Sequence, residues 1–459
     1  MKRRDFFRQG TLATIATAVP ASVQAGTKQA RNIIFLVSDG MSTGTLNMAD
    51  LYRQRREGHG THWLGLYREN KARRALMDTA SASSLVTDSA AASSSWGGGV
   101  RVPNGSLNVG ANGEVYRPIL QKFKAAGKSV GCVTTVPITH ATPAGFCVNS
   151  KSRGSMEDIA DQYLTLRFDV MMGGGTDVFS KETRKDKRDL FQAFRDKDFS
   201  VAVNRDEMLK LSFDKPILGV FHPDGLPYML DREQDENLKK TIPTLAEMTK
   251  TALARLSRNP KGFVLQVEGG KVDWSAHAND IGGLLNEQLA FDDALKVALD
   301  FAEKDGNTLV IITTDHGNSN PGLCGGGNIN VNFDRIQKFR HTNDWILNKI
   351  TREDTPARIT ELFEAEQGIV LKPDEAKAIL ENYTHLDESG VYNARKLPFQ
   401  KLAAMQVAHT SVGWAGKDHS ADFVELAMVG PGSELLPPFV KNTDLHTFML
   451  RATGVKNEG

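Results

Sequence analysis

Cysteine is scarce in this 459-residue chain: Cys132, Cys147 and Cys324 are all it has. Three such residues offer neither a metal-ligand spacing nor an even-numbered framework, which excludes a disulfide-stapled scaffold and a cysteine-based zinc module. At most one disulfide is available, and none is expected. Net charge is equally scant, 56 Lys and Arg against 55 Asp and Glu, so no global basic field points to nucleic acid. Long hydrophobic runs are missing too. The mildly apolar stretch Thr11–Val19 is too short and too rich in Thr and Ala to span a bilayer. There is no internal repeat and no low-complexity linker, which removes solenoids and tethered arrays.

What is present begins with an address. Lys2, Arg3, Arg4 and Arg8 precede the short apolar region, and Pro20-Ala21-Ser22-Val23-Gln24-Ala25 supplies small residues for cleavage after Ala25. Arg3-Arg4 followed by Phe6-Phe7 resembles a twin-arginine (Tat) export signal, which is read by the export machinery and is not an anchor. Residues 1–25 are therefore expected to be a signal peptide of a bacterial protein exported already folded, periplasmic or secreted. Their removal takes away four basic residues and one acid and moves the formal charge from +1 to −2.

Beyond the signal, apolar residues make up 40% of the composition, enough for a large core. Three short apolar runs stand out: Asn32–Val37 leading to Asp39, Gly262–Val267 ending on Glu268, and Thr308–Ile312 leading to Asp315. Such runs read as strands buried on both faces. Each finishes on an acid, and ligands of parallel sheets bind beyond the carboxyl ends of the strands. Lys128–Thr135 and Asp169–Met172 read as further strands. Helical patterns cover Ser42–Arg56, Tyr116–Ala126, Ser155–Arg167, Thr244–Ser257 and Asn279–Lys304. The alternation predicts a single α/β domain over residues 26–459, with a mostly parallel central sheet and helices on both faces. Residues 321–408 lack strong strand runs, hold helical patterns at Pro356–Ala365, Lys372–Glu381 and Ala394–Ala403, and read as a cap insertion. The sheet resumes at Asp422–Val429.

The stretch Thr87–Ser93 reads as a turn feeding a small-residue helix, which places Ser89 at a helix N-terminus, where negative charge is favoured. A serine nucleophile needs either a general base or a metal ion. Asp273 and His277, four apart, share one helical face, a chelating spacing. With Asp39, Glu268, Asp315, His316 and His419 they make a carboxylate and imidazole set of the kind zinc accepts. Four carboxylates in one crevice repel unless cations neutralise them. Two Zn2+ and one Mg2+ would outweigh them by two charges, suiting a phosphate dianion and lowering the Ser89 pKa.

From Asn32 to Pro431, outside the insertion, the chain resembles the alkaline phosphatases. The resemblance implies hydrolysis of small phosphate monoesters by two in-line displacements through a phosphoserine, with broad substrate tolerance. Thr87-Asp88-Ser89-Ala90 looks like the family's phosphorylated-serine motif, making Ser89 the nucleophile. By the same resemblance Asp39 bridges one zinc and the magnesium, and Asp315, His316 and Ser89 complete that zinc's shell. Asp273, His277 and His419 hold the other zinc, and Glu268 and Thr142, within His140-Ala141-Thr142-Pro143-Ala144-Gly145, hold magnesium. Arg153 falls where the family places an arginine that grips two phosphate oxygens. His140 and Trp274 occupy outer positions where some members carry an aspartate and a lysine. Without that charged pair, phosphate is expected to be held less tightly. A monomer or homodimer, without a membrane anchor, is expected. A sulfatase is disfavoured because its Cys/Ser-x-Pro-x-Arg setting is absent, and related diesterases usually present threonine as nucleophile.

Overall fold

The computed structural model describes residues 29–386 and 396–457; the expected signal segment at 1–25 lies outside them. Among the described residues fourteen strands form: β1 Asn32–Val37, β2 Arg73–Asp78, β3 Ser129–Pro137, β4 Val170–Gly174, β5 Ser200–Ala202, β6 Ile217–Val220, β7 Phe263–Glu268, β8 Thr308–Thr313, β9 Gly317–Asn318, β10 Pro321–Leu323, β11 Val412–Trp414, β12 His419–Ser420, β13 Val424–Val429 and β14 Phe439–Lys441. Ten of them make one sheet in the order β14-β2-β13-β8-β1-β7-β3-β4-β6-β5. Only β13 runs against its neighbours, antiparallel to both β2 and β8.

The continuous apolar runs are strands for the reason the sequence suggests. Ile34 and Leu36 of β1 enter one apolar cluster while Ile33, Phe35 and Val37 enter another on the opposite face. Both faces are therefore dry, and alternate side chains feed both cores. Helices Leu245–Leu256 and Ile281–Asp305 cover the first face. Helices Ile119–Ala125, Ala141–Cys147, Met156–Leu166 and Asp444–Thr453 cover the second. Register then fixes the site: Val37 pairs with Glu268 on one side and with Thr313 on the other. Asp39, Glu268 and Asp315 consequently emerge at one rim.

Several boundaries differ from expectation for local reasons. The helix expected from Tyr116 begins at Ile119, because Pro118 takes the N-cap and cannot sit deeper. The helix expected over Ala394–Ala403 is Phe399–Thr410, again starting after a proline, Pro398; Ala394 and Arg395 lie outside the described residues. Strands β2, β5, β6 and β14 carry no long apolar run. All four lie at or next to the sheet edges, where β2 alternates exposed and buried positions. Between β10 and β11 the chain makes a helical excursion, including Asn343–Lys349, Pro356–Gln367 and Pro373–Glu381. Antiparallel ladders β10–β11 and β9–β12 close its base. Its Phe333, Ile346, Leu347, Phe363 and Leu402 join the first-face core. The cysteines are free, Cys132 and Cys147 buried with sulfurs 3.7 Å apart. Among the described residues no helix is long and apolar enough to cross a membrane.

Candidate active site

Ser89 opens the helix Ser89–Gly97, whose N-cap is the preceding Asp88. The Asp88 carboxylate accepts from the Ala91 amide at 3.0 Å, so the cap is filled and the Ser89 hydroxyl is left for chemistry. Ser93 Oγ donates to the Ala141 carbonyl at 3.0 Å, joining this helix to Ala141–Cys147. The serine and Thr142 thereby reach the same rim.

At the end of β1, Asp39 is fully buried, and Gly40 turns the chain at φ +67°. A Cβ at Gly40 would lie 2.5 Å from Asp273 Oδ1 and 2.9 Å from its Cα, so this approach of two acid-bearing segments requires glycine. The Gly40 amide donates to Asp315 Oδ1 at 3.0 Å. His316 Nε2 stands 3.3 Å from Ser89 Oγ, 3.1 Å from Asp315 Oδ2 and 3.6 Å from Asp39 Oδ1. Glu268 accepts from Thr134 Oγ1 at 2.5 Å, and Thr142 Oγ1 donates to Asp39 Oδ2 at 3.2 Å.

On the far side, Asp273 and His277 project from the helix Lys271–His277, and His419 arrives on β12. His277 Nε2 lies 3.5 Å from Asp273 Oδ2, and His419 Nε2 lies 3.5 Å from Asp273 Oδ1. The two Nε2 atoms are 3.0 Å apart. Each ring gives its Nδ1 to a backbone carbonyl, that of Lys417 at 2.7 Å for His277 and that of Thr87 at 2.9 Å for His419. Nδ1 therefore carries the hydrogen in each neutral ring and Nε2 points a lone pair inward, the tautomer a ligating histidine needs.

The electrostatics match a site built for cations. Burial, and then the facing carboxylates of Asp315, Asp273 and Glu268, push the Asp39 carboxyl well above the ordinary range. Burial likewise raises Glu268 to about 7 against the pull of the Thr134 and Thr142 hydroxyls. Burial disfavours charge on His419, yet its bond to Asp273 lifts it to about 9. Asp39 Oδ1, Glu268 Oε1, Asp315 Oδ2, His140 Nδ1 and His316 Nδ1 are buried without a hydrogen-bond partner. So many unpaired polar atoms on one rim would be costly in a finished protein core and fit a metal-binding site. Three groups have ligand atoms within 4.8 Å of one another: Asp273, His277 and His419; Asp39, Asp273 and His316; and Asp39, His140 and Glu268.

The rim thus gathers all nine expected ligand positions, with two adjustments. Asp273 faces two of the three groups, and His140, placed by the sequence at an outer position, comes within ligand distance of Asp39 and Glu268. Arg153 donates from Nη1 to Asp88 Oδ2 at 2.9 Å and from Nη2 to His140 Nε2 at 3.0 Å. Burial, then the Arg153 charge, hold His140 down at about 3, so it is neutral and accepts. Trp274 meets His140 edge to face, centroids 6.2 Å apart. Sequence reasoning missed Asn318, whose Nδ2 donates to Asp273 Oδ1 at 2.7 Å, and Asp88 as the anchor of Arg153. For Asp88 a signal existed, since it directly precedes the serine; for Asn318 there was only its place two residues after His316.

A family model described as alkaline phosphatase matches residues 30–455. Alkaline phosphatase 4 of Bacillus subtilis is 31% identical over 422 residues, 90% of this chain and 87% of its own length. Alkaline phosphatase 3 of the same organism is 33% identical over 373 residues, 80% and 77%. The crystal structure of Thermus thermophilus alkaline phosphatase superposes with a TM-score of 0.86 at 31% identity, covering 94% of this chain and 93% of that one.

Proposed function

The chain belongs to the alkaline phosphatase family and hydrolyses phosphate monoesters, and from that premise we propose that it does so through a phosphoserine on Ser89 at a site for two zinc ions and one magnesium. Asp273, His277 and His419 would hold one zinc, Asp39, Asp315, His316 and Ser89 the other, and Glu268, Thr142 and Asp39 the magnesium. When bound, the ions supply the positive charge that lowers the pKa of the serine and of the attacking water and balances the leaving oxygen.

Ser89 Oγ attacks phosphorus in line with the ester oxygen; the Oγ–P bond forms as the P–O ester bond breaks and the alcohol departs. Water then attacks the phosphoserine from the side the alcohol left, and the Oγ–P bond breaks to release phosphate. Arg153 orients the phosphoryl group through its planar fork, itself aimed by Asp88 and His140. The reading is carried by one observation: the serine hydroxyl, a helix N-terminus and unpaired buried carboxylates from three strand ends meet at one rim. The Arg3-Arg4 segment supports export to the periplasm.

The test is pre-steady-state hydrolysis of p-nitrophenyl phosphate. Ser89→Ala is expected to lose the burst and most turnover, on the order of a thousandfold or more. A burst retained by that variant would refute the covalent route.

A further inference from the structure

One buried cation next to the site has no part in the reaction described above. Lys271 is 6% exposed, and among the described residues no carboxylate lies within ion-pair distance of it. Its Nζ lies against aromatic faces, 3.5 Å from the centroid of Tyr228 and 4.7 Å from that of Trp274. Burial pulls its ammonium below the usual lysine range, and the carboxylates of Glu287, Asp344, Asp224 and Asp231, at longer range, favour the charged form against that pull. A desolvated ammonium over an indole face is an attractive contact with a defined geometry, so it restricts the ring it touches.

That ring leads to the phosphate-binding arginine. Trp274 packs edge to face on His140, and His140 Nε2 accepts from Arg153 Nη2 at 3.0 Å. Gly225 also closes in on the indole and the lysine stem, since a Cβ there would come within 2.8 Å of Trp274 Cζ3 and 3.3 Å of Lys271 Cδ. The Tyr228 wall is also fixed, because the amide of the next residue, Met229, donates to Glu287 Oε1 at 2.6 Å.

We propose that Lys271 is a positioning residue: through its contact with Trp274 it holds the indole against His140 and so sets the aim of Arg153 on the phosphoryl group. The proposal rests on Arg153 binding phosphate. Lys271→Met removes the cation and keeps the length of the side chain. Gly225→Ala crowds the same indole, and the Lys271 stem beside it, while keeping the charge. Lys271→Arg retains a cation able to stack on both rings.

The metal-loaded enzyme and its variants are compared by kcat and KM for p-nitrophenyl phosphate and by the inhibition constant for inorganic phosphate. Lys271→Met and Gly225→Ala are each expected to raise KM and the phosphate inhibition constant by about threefold to tenfold, with kcat within about twofold, the scale of one lost cation–π contact. Lys271→Arg is expected to stay within about twofold of the parent on both. In an Arg153→Ala background, Lys271→Met should add no further change, because the two residues act through one contact chain. A purely structural lysine would lower the thermal midpoint or the active fraction and leave KM unmoved, and that result overturns the proposal. So does a KM effect that persists in full when Arg153 is absent. Should Lys271→Met fail to fold, Gly225→Ala alone decides between these outcomes. If Arg153→Ala itself does not weaken phosphate inhibition, the assignment of Arg153 falls first, and the proposal with it.

Discussion

Two groups of buried charge in this molecule are treated in opposite ways. Midway along the long helix Ile281–Asp305, Asp292 accepts at one oxygen from the Trp63 amide at 3.0 Å and at the other from the His62 amide and Arg53 Nη1, both at 2.8 Å. Asp50 nearby is as fully engaged, by Thr61, Gln54 and Arg68. At the catalytic rim, by contrast, Asp39, Glu268 and Asp315 each keep a buried oxygen with no hydrogen-bond partner. A charge buried for structure is answered by the protein itself, while a charge buried for chemistry is left for a ligand to answer.

The contrast is sharpest in a pair of alanine variants. Asp39→Ala is expected to cut kcat/KM by roughly a thousandfold, the several kcal/mol that a misplaced metal withdraws, while the metal-free chain, relieved of a buried carboxylate facing three others, keeps its stability or gains some. Asp292→Ala should do the reverse. It leaves the Arg53 charge short of a partner and costs about 3–5 kcal/mol of stability, with near-normal turnover in the fraction that folds. Denaturant midpoints of the metal-free variants, set beside kinetics of the loaded ones, check both arms. A large stability loss in Asp39→Ala would break the comparison.

A smaller effect is expected where the rim meets its outer layer. Trp274→Lys gives up the indole's contact with His140 but adds a cation close to the phosphate-binding arginine's support; the added charge is expected to outweigh the lost contact, and phosphate inhibition should tighten by about tenfold net, or about 1.4 kcal/mol. Inhibition constants in matched buffers read this directly; weaker inhibition would mean that the indole already serves phosphate better than a charge could.

The smallest effect comes from a buried acid that does not touch the reacting atoms. Burial pushes Glu287 up to about 7 in the folded chain, against the pull of Lys271 and the Met229 amide. The unfolded chain, with an ordinary glutamate, loses its proton first as pH rises. Stability from this group is therefore intact in acid, declines between the ordinary glutamate range and about 7, and is flat above. Glu287→Gln should lose less of its denaturant midpoint than the parent between acidic and mildly alkaline buffer, and an identical slope in both proteins would count against the raised value.

Much of the rim was legible because its logic is local. Apolar runs that end on Asp39, Glu268 and Asp315 announce both the strand and the end that matters, and the four-residue spacing of Asp273 and His277 gives a shared helical face. The register that aligns Val37 with Glu268 and Thr313 was not local, yet a parallel sheet makes it nearly unavoidable. What stayed hidden was decided by distant parts of the chain. Tyr228 reaches Lys271 from a loop 43 positions earlier in the sequence, and nothing in its own neighbourhood marks it. Strands β5, β6 and β14 are three or four residues long, too short for their apolar residues to mark them as strands; their place is set by the neighbours they extend. His140 came inside ligand distance through the packing of its helix against that of Ser89, a contact no spacing rule encodes.

His419 reaches the rim only after the long excursion closed by the β9–β12 and β10–β11 ladders, 142 positions beyond His277. Any ion gripped by both imidazoles is therefore a clasp on a very large loop, and offsets the entropy of bringing its ends together. Loading the site and finishing the fold become one event, so that an enzyme stripped of its ions would first come undone at this seam rather than in the sheet.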